Sequence, residues 1–306
     1  MTSARIRIRD AVASALRALP RFRGKGRLGV ALERLLTDYS ADEECLPTFV
    51  GRESMIVRVD LRSSAERYAF WTGEYDRNVP RLLDVLDPTA SVLDVGASVG
   101  LFTVPLARGL RERGGCVYAF EPFPSNYARL VEAISLNGLD ETVTAVQLAL
   151  GERSGTIRLG IVEALEGATT GNAAAIRDDV EGVRTAVVRC EPLDAIAGQL
   201  GVGACGLIKV DIEGGELAFF RGARDFVHEH RPLVYCELNY AWMSVFGWRF
   251  RDLLDLVAPW GYDVYRARGS RFVAARVPAR QTEDVLLVPR GTRVERRARR
   301  HLGLIA

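Results

Sequence analysis

The chain has 306 residues, 48% of them hydrophobic, which is enough for a substantial core and excludes a disordered protein. Its 41 Lys+Arg nearly cancel 39 Asp+Glu, so the net charge of +2 gives no general reason for a polyanionic partner, and no nucleic acid is expected. Five scattered cysteines without a C-x-x-C pair argue for buried thiols in a reducing, cytoplasmic setting, and no uncharged run approaches the roughly 18 residues that a membrane span needs.

Residues 1–48 read as an N-terminal helical extension. Over residues 5–19, Ile8, Val12, Ala15, Leu16 and Leu19 recur at helical spacing among Arg5, Arg7, Arg9 and Arg17, up to Pro20. A helix docked with its basic face in solvent is expected; the alternative is peripheral contact with an anionic membrane surface. The arginines and Asp10 make the stretch a poor signal peptide. The main domain spans residues 49–290, and residues 291–306, "GTRVERRARRHLGLIA", form a basic C-terminal tail expected to be solvated.

Within the main domain, "SVLDVGA", "CVYAFEP", "VTAVQLAL", "GLIKVDIE" and "PLVYCELN" are apolar runs of the kind that form strands buried on both faces. Helical stretches separate most of them. The order predicts an α/β fold with a mostly parallel sheet and helices on both faces, which binds ligands beyond the carboxyl ends of its strands. Residues 151–193 break the alternation and predict a β-excursion after the third strand. Its small-residue loop, 164–182, suits either a substrate lid or a plain surface insertion. "YDVYRA", "RFVAARV" and "VLLVPRG" predict an antiparallel edge.

"SVLDVGASVGLF" places a glycine turn between a strand and a helix, where free amides favour negative charge. Dinucleotide sites want G-x-G-x-x-G, whereas here the turn reads Gly96-Ala97-Ser98-Val99-Gly100 and is preceded by Asp94. That pattern fits S-adenosylmethionine better, because this ligand has no pyrophosphate. Glu121, at the end of the second strand beside Pro122, is placed to accept both ribose hydroxyls, and Gln147 through Leu150, Ala149 included, to flank the adenine.

The fourth strand carries Lys209, Asp211 and Glu213 on one side, with Val210 and Ile212 on the other. Three charges on one face of a buried strand must pair with one another or face a site. Asp211 thus belongs to both the cofactor and the catalytic sets, and the fifth strand adds Glu237. One of Asp211, Glu213 or Glu237 is expected to accept a proton, with Lys209 holding the cluster's charge or polarising a hydroxyl. The same three carboxylates could hold Mg²⁺ through oxygen, although no metal site is assigned. Glu216 is accounted for by the first turn of the next helix, and His228 and His230 by a helix C-terminus.

These residues occur in "FWTGEYDRNVPRLLDVL", "VLDVGASVGLFT", "AFEPFPSNYARLVEAISLNG", "LALGERSG", "IKVDIEGGELAFFRGA" and "LVYCELN". In that order, over residues 49–240, they resemble the FkbM family of class I, Rossmann-like methyltransferases. The resemblance implies a seven-stranded sheet over residues 49–290, S-adenosylmethionine as cofactor, and O-methylation of a small-molecule or glycan acceptor such as a sugar or polyketide. Two positions depart from the family pattern: Ser98 stands where Asn is usual, and Asp76 where Glu is usual. The competing readings are an RNA or protein methyltransferase on the same fold, disfavoured because "DIEG" replaces an Asn/Asp-Pro-Pro-aromatic motif, and a non-catalytic binding protein.

Overall fold

The computed structural model describes residues 4–20, 22–39, 45–51, 55–161, 173–175, 184–269, 271–275 and 282–305. Two helices, α1 (Ala4–Ala18) and α2 (Lys25–Leu36), precede a short hairpin of β1 (Thr48–Val50) and β2 (Ile56–Arg58). Then come α3 (Ser64–Thr72) and α4 (Val79–Val85). The alternating region follows with β3 (Ser91–Val95), α5 (Thr103–Arg111), β4 (Cys116–Phe120), α6 (Pro124–Leu136) and β5 (Val143–Val146). The excursion predicted over residues 151–193 comprises β7 (Gly155–Ile161), β8 (Ala173–Ala175) and β9 (Arg184–Glu191); they form a separate four-stranded sheet with β6 (Ala149–Leu150), because the run read as the third strand breaks after Val146. Apart from β8, the 164–182 loop expected as a lid lies outside the described residues.

After α7 (Leu193–Ile196) the chain returns to the main sheet through β10 (Cys205–Val210), α8 (Glu216–Gly222), α9 (Arg224–His230) and β11 (Leu233–Leu238). It ends with α10 (Tyr240–Val245), α11 (Phe250–Val257), β12 (Tyr262–Arg268), β13 (Arg271–Ala274), β14 (Glu283–Pro289), α12 (Arg293–Leu302) and β15 (Leu304–Ile305). The sheet order is β15-β13-β12-β14-β11-β10-β3-β4-β5. It has nine strands, not seven. The core from β5 to β11 is parallel; β14, β12 and β13 continue it as the predicted antiparallel strands, and β15, parallel to β13, forms the edge. The two extra strands come from a tight turn at Gly269, which pairs β13 with β12, and from Gly303, which ends α12 and returns the chain beside β13. Both glycines are left-handed, φ 65°, a conformation that glycine adopts without steric cost.

The C-terminal tail is therefore not a solvated appendage. Thr292 caps α12 by accepting from the Glu295 amide, Ala298 and Leu302 are buried, and Arg297 donates to the Val85 carbonyl. Its remaining arginines lie largely on the outer face, which explains why the segment reads as a tail.

Strand alternation divides the core. Val92, Val117, Leu207 and Leu233 face one hydrophobic layer, and Leu93, Phe120, Ile208 and Val234 face the other. Because β3, β10 and β11 are in register, Lys209 is paired with Asp94 on one side and Tyr235 on the other, all on the first face. Two residues along, Glu237 stands opposite Asp284. The charges of four strands thus gather at one end of one face.

The N-terminal extension covers that face. The buried stripe of α1 is Ile6, Arg9, Ala13 and Leu16, whereas Ile8 and Leu19, expected to face inward, are about half exposed. Aromatic stacking explains the rotation. Arg9 and Arg17 lie over the Phe70 ring, and Arg17 also donates to the Phe70 carbonyl at 2.8 Å. Two of the four arginines of the supposed basic face are thus used to dock the helix. On α2, Gly29 lies so close to Trp71 that a Cβ would sit 2.4 Å from the Trp71 Cβ, and buried Glu33 accepts from the Trp71 indole. Trp71 is core.

All five cysteines are free, four of them buried. Among the described residues no helix is long and apolar enough to cross a membrane.

Candidate functional site

The glycine turn after β3 is pinned from three sides. The amides of Gly96 and Ala97 both donate to the Phe120 carbonyl at 3.0 Å, and the Gly96 carbonyl accepts from Lys209 Nζ at 2.8 Å. Gly96 has φ 82°, and a Cβ there would stand 1.9 Å from the Asp211 carbonyl oxygen. Gly96→Ala is therefore expected to cost about 3 kcal/mol or more, combining backbone strain with a clash that no rotamer relieves. Gly114→Ala, with φ 77° but open space around it, is the control, expected to lose about 1 kcal/mol. Equal denaturation midpoints for the two variants would contradict this account. Ser98 is also left-handed, φ 49°. Asn tolerates that region better than most residues, which gives a backbone reason for the usual Asn at this position.

Glu121 is the second fixed point. Its two oxygens accept from the Ser98 and Phe123 amides, each at 2.9 Å, so the carboxylate bridges the glycine turn and the start of α6. Burial raises its pKa to about 7. Each oxygen retains lone-pair capacity for a ligand hydroxyl.

The charged row is the third. Lys209 Nζ lies 3.3 Å from Asp94 Oδ1 and 3.4 Å from Asp211 Oδ2. Burial opposes the charge on Lys209, but Asp94, Asp211 and Tyr75 outweigh it and hold the ammonium well above its ordinary range. Asp94 also accepts from Thr103 Oγ1 at 2.6 Å. One carboxylate oxygen from each of Asp211, Glu213 and Glu237 can be chosen so that all three lie within 4.8 Å of one another, an arrangement whose oxygens would suit a hard divalent cation. Burial first, then Asp211, Asp284 and Glu213, push Glu237 up to about 8. Burial and Asp211 raise Glu213 to about 7, and its Oε2 accepts from Asn239 Nδ2 at 3.1 Å. Glu213 itself is left-handed, φ 48°, so strand alternation ends before it and the turn delivers it to the cluster. Glu216 behaves as the sequence implies, accepting from the Gly214 amide at 3.0 Å.

Two cavities meet at this row. The first, about 320 Å³, is lined by Gly96, Ala97 and Ser98, by Glu121 and Pro122, and by Leu148, Ala149 and Leu150. Ile157 and Leu159 of β7 and Ser63 to Glu66 close its sides. The second, about 730 Å³, lies under the N-terminal extension, between Phe22, Arg23 and Lys25, residues 74–78, and Tyr235 and Asp284. Tyr75, Phe102, Lys209, Asp211 and Glu237 line both.

Most of the residues singled out in the sequence therefore converge, with three exceptions. Asp94, fully buried, supports Lys209 from behind and is not part of the cavity wall. Gly100 packs toward Leu130 on α6, and Gln147 is exposed outside the cavity while its neighbours line it. Gln147 lies just past the end of β5, outside the regular strand, where it is exposed while Leu148 is buried. The described part of the excursion lines the first cavity and not the second. Residues missed at the sequence level are Ser63 to Glu66, Phe102, Asn126 and Asp284. They come from elements whose spacing speaks only of helix or edge strand, and tertiary packing alone assigns them to a site.

Comparison with known proteins places this geometry. The Methyltransferase FkbM domain matches residues 94–264. Over 175 residues the chain is 29% identical to methyltransferase sdnD of Sordaria araneosa, covering 49% of this chain and 66% of that protein. Over 210 residues it is 26% identical to the AMB antimetabolite synthetase AmbE of Pseudomonas aeruginosa, covering 59% of this chain but 10% of that one. The chain thus spans just under two thirds of one curated relative and a tenth of the other. A crystal structure of methyltransferase FkbM from Methylobacillus flagellatus aligns over 93% of this chain and 60% of its own length, at 18% identity and a TM-score of 0.42. Because the domain match takes in more than half of the sequence, including Asp94, Lys209, Asp211, Glu213 and Glu237, the chain belongs to the FkbM methyltransferase family.

Proposed function

We propose that the protein is an S-adenosylmethionine-dependent O-methyltransferase whose acceptor is a hydroxyl of a sugar, a glycan or a polyketide-like metabolite. The observation that carries this reading is the junction of two cavities at a carboxylate whose pKa lies near neutrality. The first cavity suits the cofactor: Glu121 faces it with spare acceptor capacity, and Leu148 to Leu150 with Ile157 and Leu159 offer an apolar slot for a flat base. The absence of side chain at Gly96 keeps the turn against Asp211. When bound, the cofactor supplies a sulfonium-activated methyl group. The protein's task is then to orient the acceptor and remove its proton.

Glu237 is assigned as the base. It lines both cavities, and a pKa of about 8 lets it take a proton from an alcohol as the oxygen attacks. Lys209, locked between Asp94 and Asp211, stays charged and stabilises the alkoxide character that develops on the oxygen. A free amine would need no such base.

The test is calorimetric titration with S-adenosylmethionine, followed by incubation with panels of methyl glycosides, hydroxylated lactones and peptide amines. Binding of the cofactor and formation of a methyl ether are expected. No binding, or methylation confined to nitrogen, would overturn the proposal.

A further inference from the structure

Asn126 occupies the first turn of α6, five residues beyond Glu121. It is 2% exposed and lines the first cavity, yet its Oδ1 has no hydrogen-bond partner. A buried amide oxygen left unpaired is costly, and such atoms are rare in folded proteins. Of the polar groups on this stretch of helix, Ser125 Oγ and Arg129 Nε also lack a partner, whereas the rest are engaged. Arg129, on the same helical face, is held by Glu66 and by the Arg58 carbonyl. Glu66 also accepts from the Asp60 amide, and Glu121 from the Ser98 and Phe123 amides. Because Asn126 lines the first cavity, a ligand there can donate to the unpaired Oδ1.

We infer that the Asn126 side chain binds the ribose hydroxyls of S-adenosylmethionine alongside Glu121; this rests on the proposal above that the first cavity takes that cofactor. Three observations place the contact at the nucleoside end. Asn126 lies on the segment that Glu121 anchors through Phe123. The apolar slot of Leu148 to Leu150 opens into the same cavity. The unpaired atom is an oxygen, which a ribose hydroxyl satisfies by donating to it, so Asn126 adds an acceptor beside those of Glu121.

The experiment compares the wild type with Asn126→Leu and Asn126→Ala, titrated with S-adenosylmethionine and with 5′-methylthioadenosine, which keeps the nucleoside and lacks the aminoacyl end. Thermal melts of the ligand-free proteins run alongside. Both ligands are expected to weaken by the same factor, about tenfold, as loss of one buried hydrogen bond implies. The ligand-free midpoint should hold or rise in Asn126→Leu, because an unpaired polar atom has been removed. Unchanged affinities, or a loss confined to S-adenosylmethionine, would overturn the ribose assignment. So would a lowered ligand-free midpoint in both variants, which would make Asn126 a folding residue. Failure of the wild type to bind either ligand overturns the cofactor reading itself, a result distinct from variants that merely match the wild type.

Discussion

Replacing Lys209 with Met is expected to destabilise the protein by about 3–5 kcal/mol, the cost of leaving a buried charge without its partner. The reason lies in the sheet register. Asp94 is fully buried on the central strand, and its neighbours there are Thr103 and the Lys209 ammonium. Removing the ammonium leaves Asp94 and Asp211 as uncompensated like charges and frees the Gly96 carbonyl as well. Chemical denaturation measures the loss, and a Lys209→Met/Asp94→Asn double variant should recover part of it, since the two residues share one interaction. If the single variant unfolds at the wild-type midpoint, or the double variant is additive, Lys209 does not neutralise Asp94 in the way described.

The second large effect concerns Glu237. Glu237→Gln is expected to lower kcat by roughly 10²–10⁴, the usual contribution of a general base, while leaving S-adenosylmethionine affinity near wild type. The wild-type kcat/KM should fall with acidity below pH about 8, because the base works deprotonated and burial beside Asp211 and Asp284 raises its pKa to about 8. The variant should lose that limb. Stability moves the other way. A carboxylate whose folded pKa is raised stabilises fully below its unfolded pKa, and that contribution is lost as pH rises through about 8. Glu237→Gln should therefore gain stability relative to wild type as pH rises toward and beyond 8. A pH–rate profile unaltered by the substitution would remove Glu237 from the proton transfer.

The parts of the fold that the sequence reveals are those whose pattern is local. Val92, Leu93 and Val95 form a run that only a doubly buried strand explains, and the acids at the strand ends stand out against such runs. Two other kinds of information are absent from local pattern. One is register: nothing near Asp94 shows that Lys209 lies beside it, 115 positions on, so Asp94 reads as a ligand contact instead of a buried support. The other is aromatic docking. Arginines at positions 9 and 17 look like solvent-facing charge until Phe70 is placed beneath them, and the inward stripe of α1 shifts accordingly. β13 is legible in "RFVAARV", whereas β15 depends on the turn at Gly303, a single glycine whose handedness composition does not announce.

The two cavities differ in which part of the chain builds their outer walls. The first is bounded mainly by loops at the ends of sheet strands, where a shift at Gly96 would collide with Asp211. The second is roofed by the turn between α1 and α2 and by residues 68–78, held down through Arg17 on Phe70 and Lys25 on the last carbonyls of α1. Insertions or exchanges around Phe22 and Arg23 would thus remodel one chamber without moving the strands that form the other. If the second cavity takes the acceptor as proposed, exchanges in that short stretch would change what is modified without touching the first cavity.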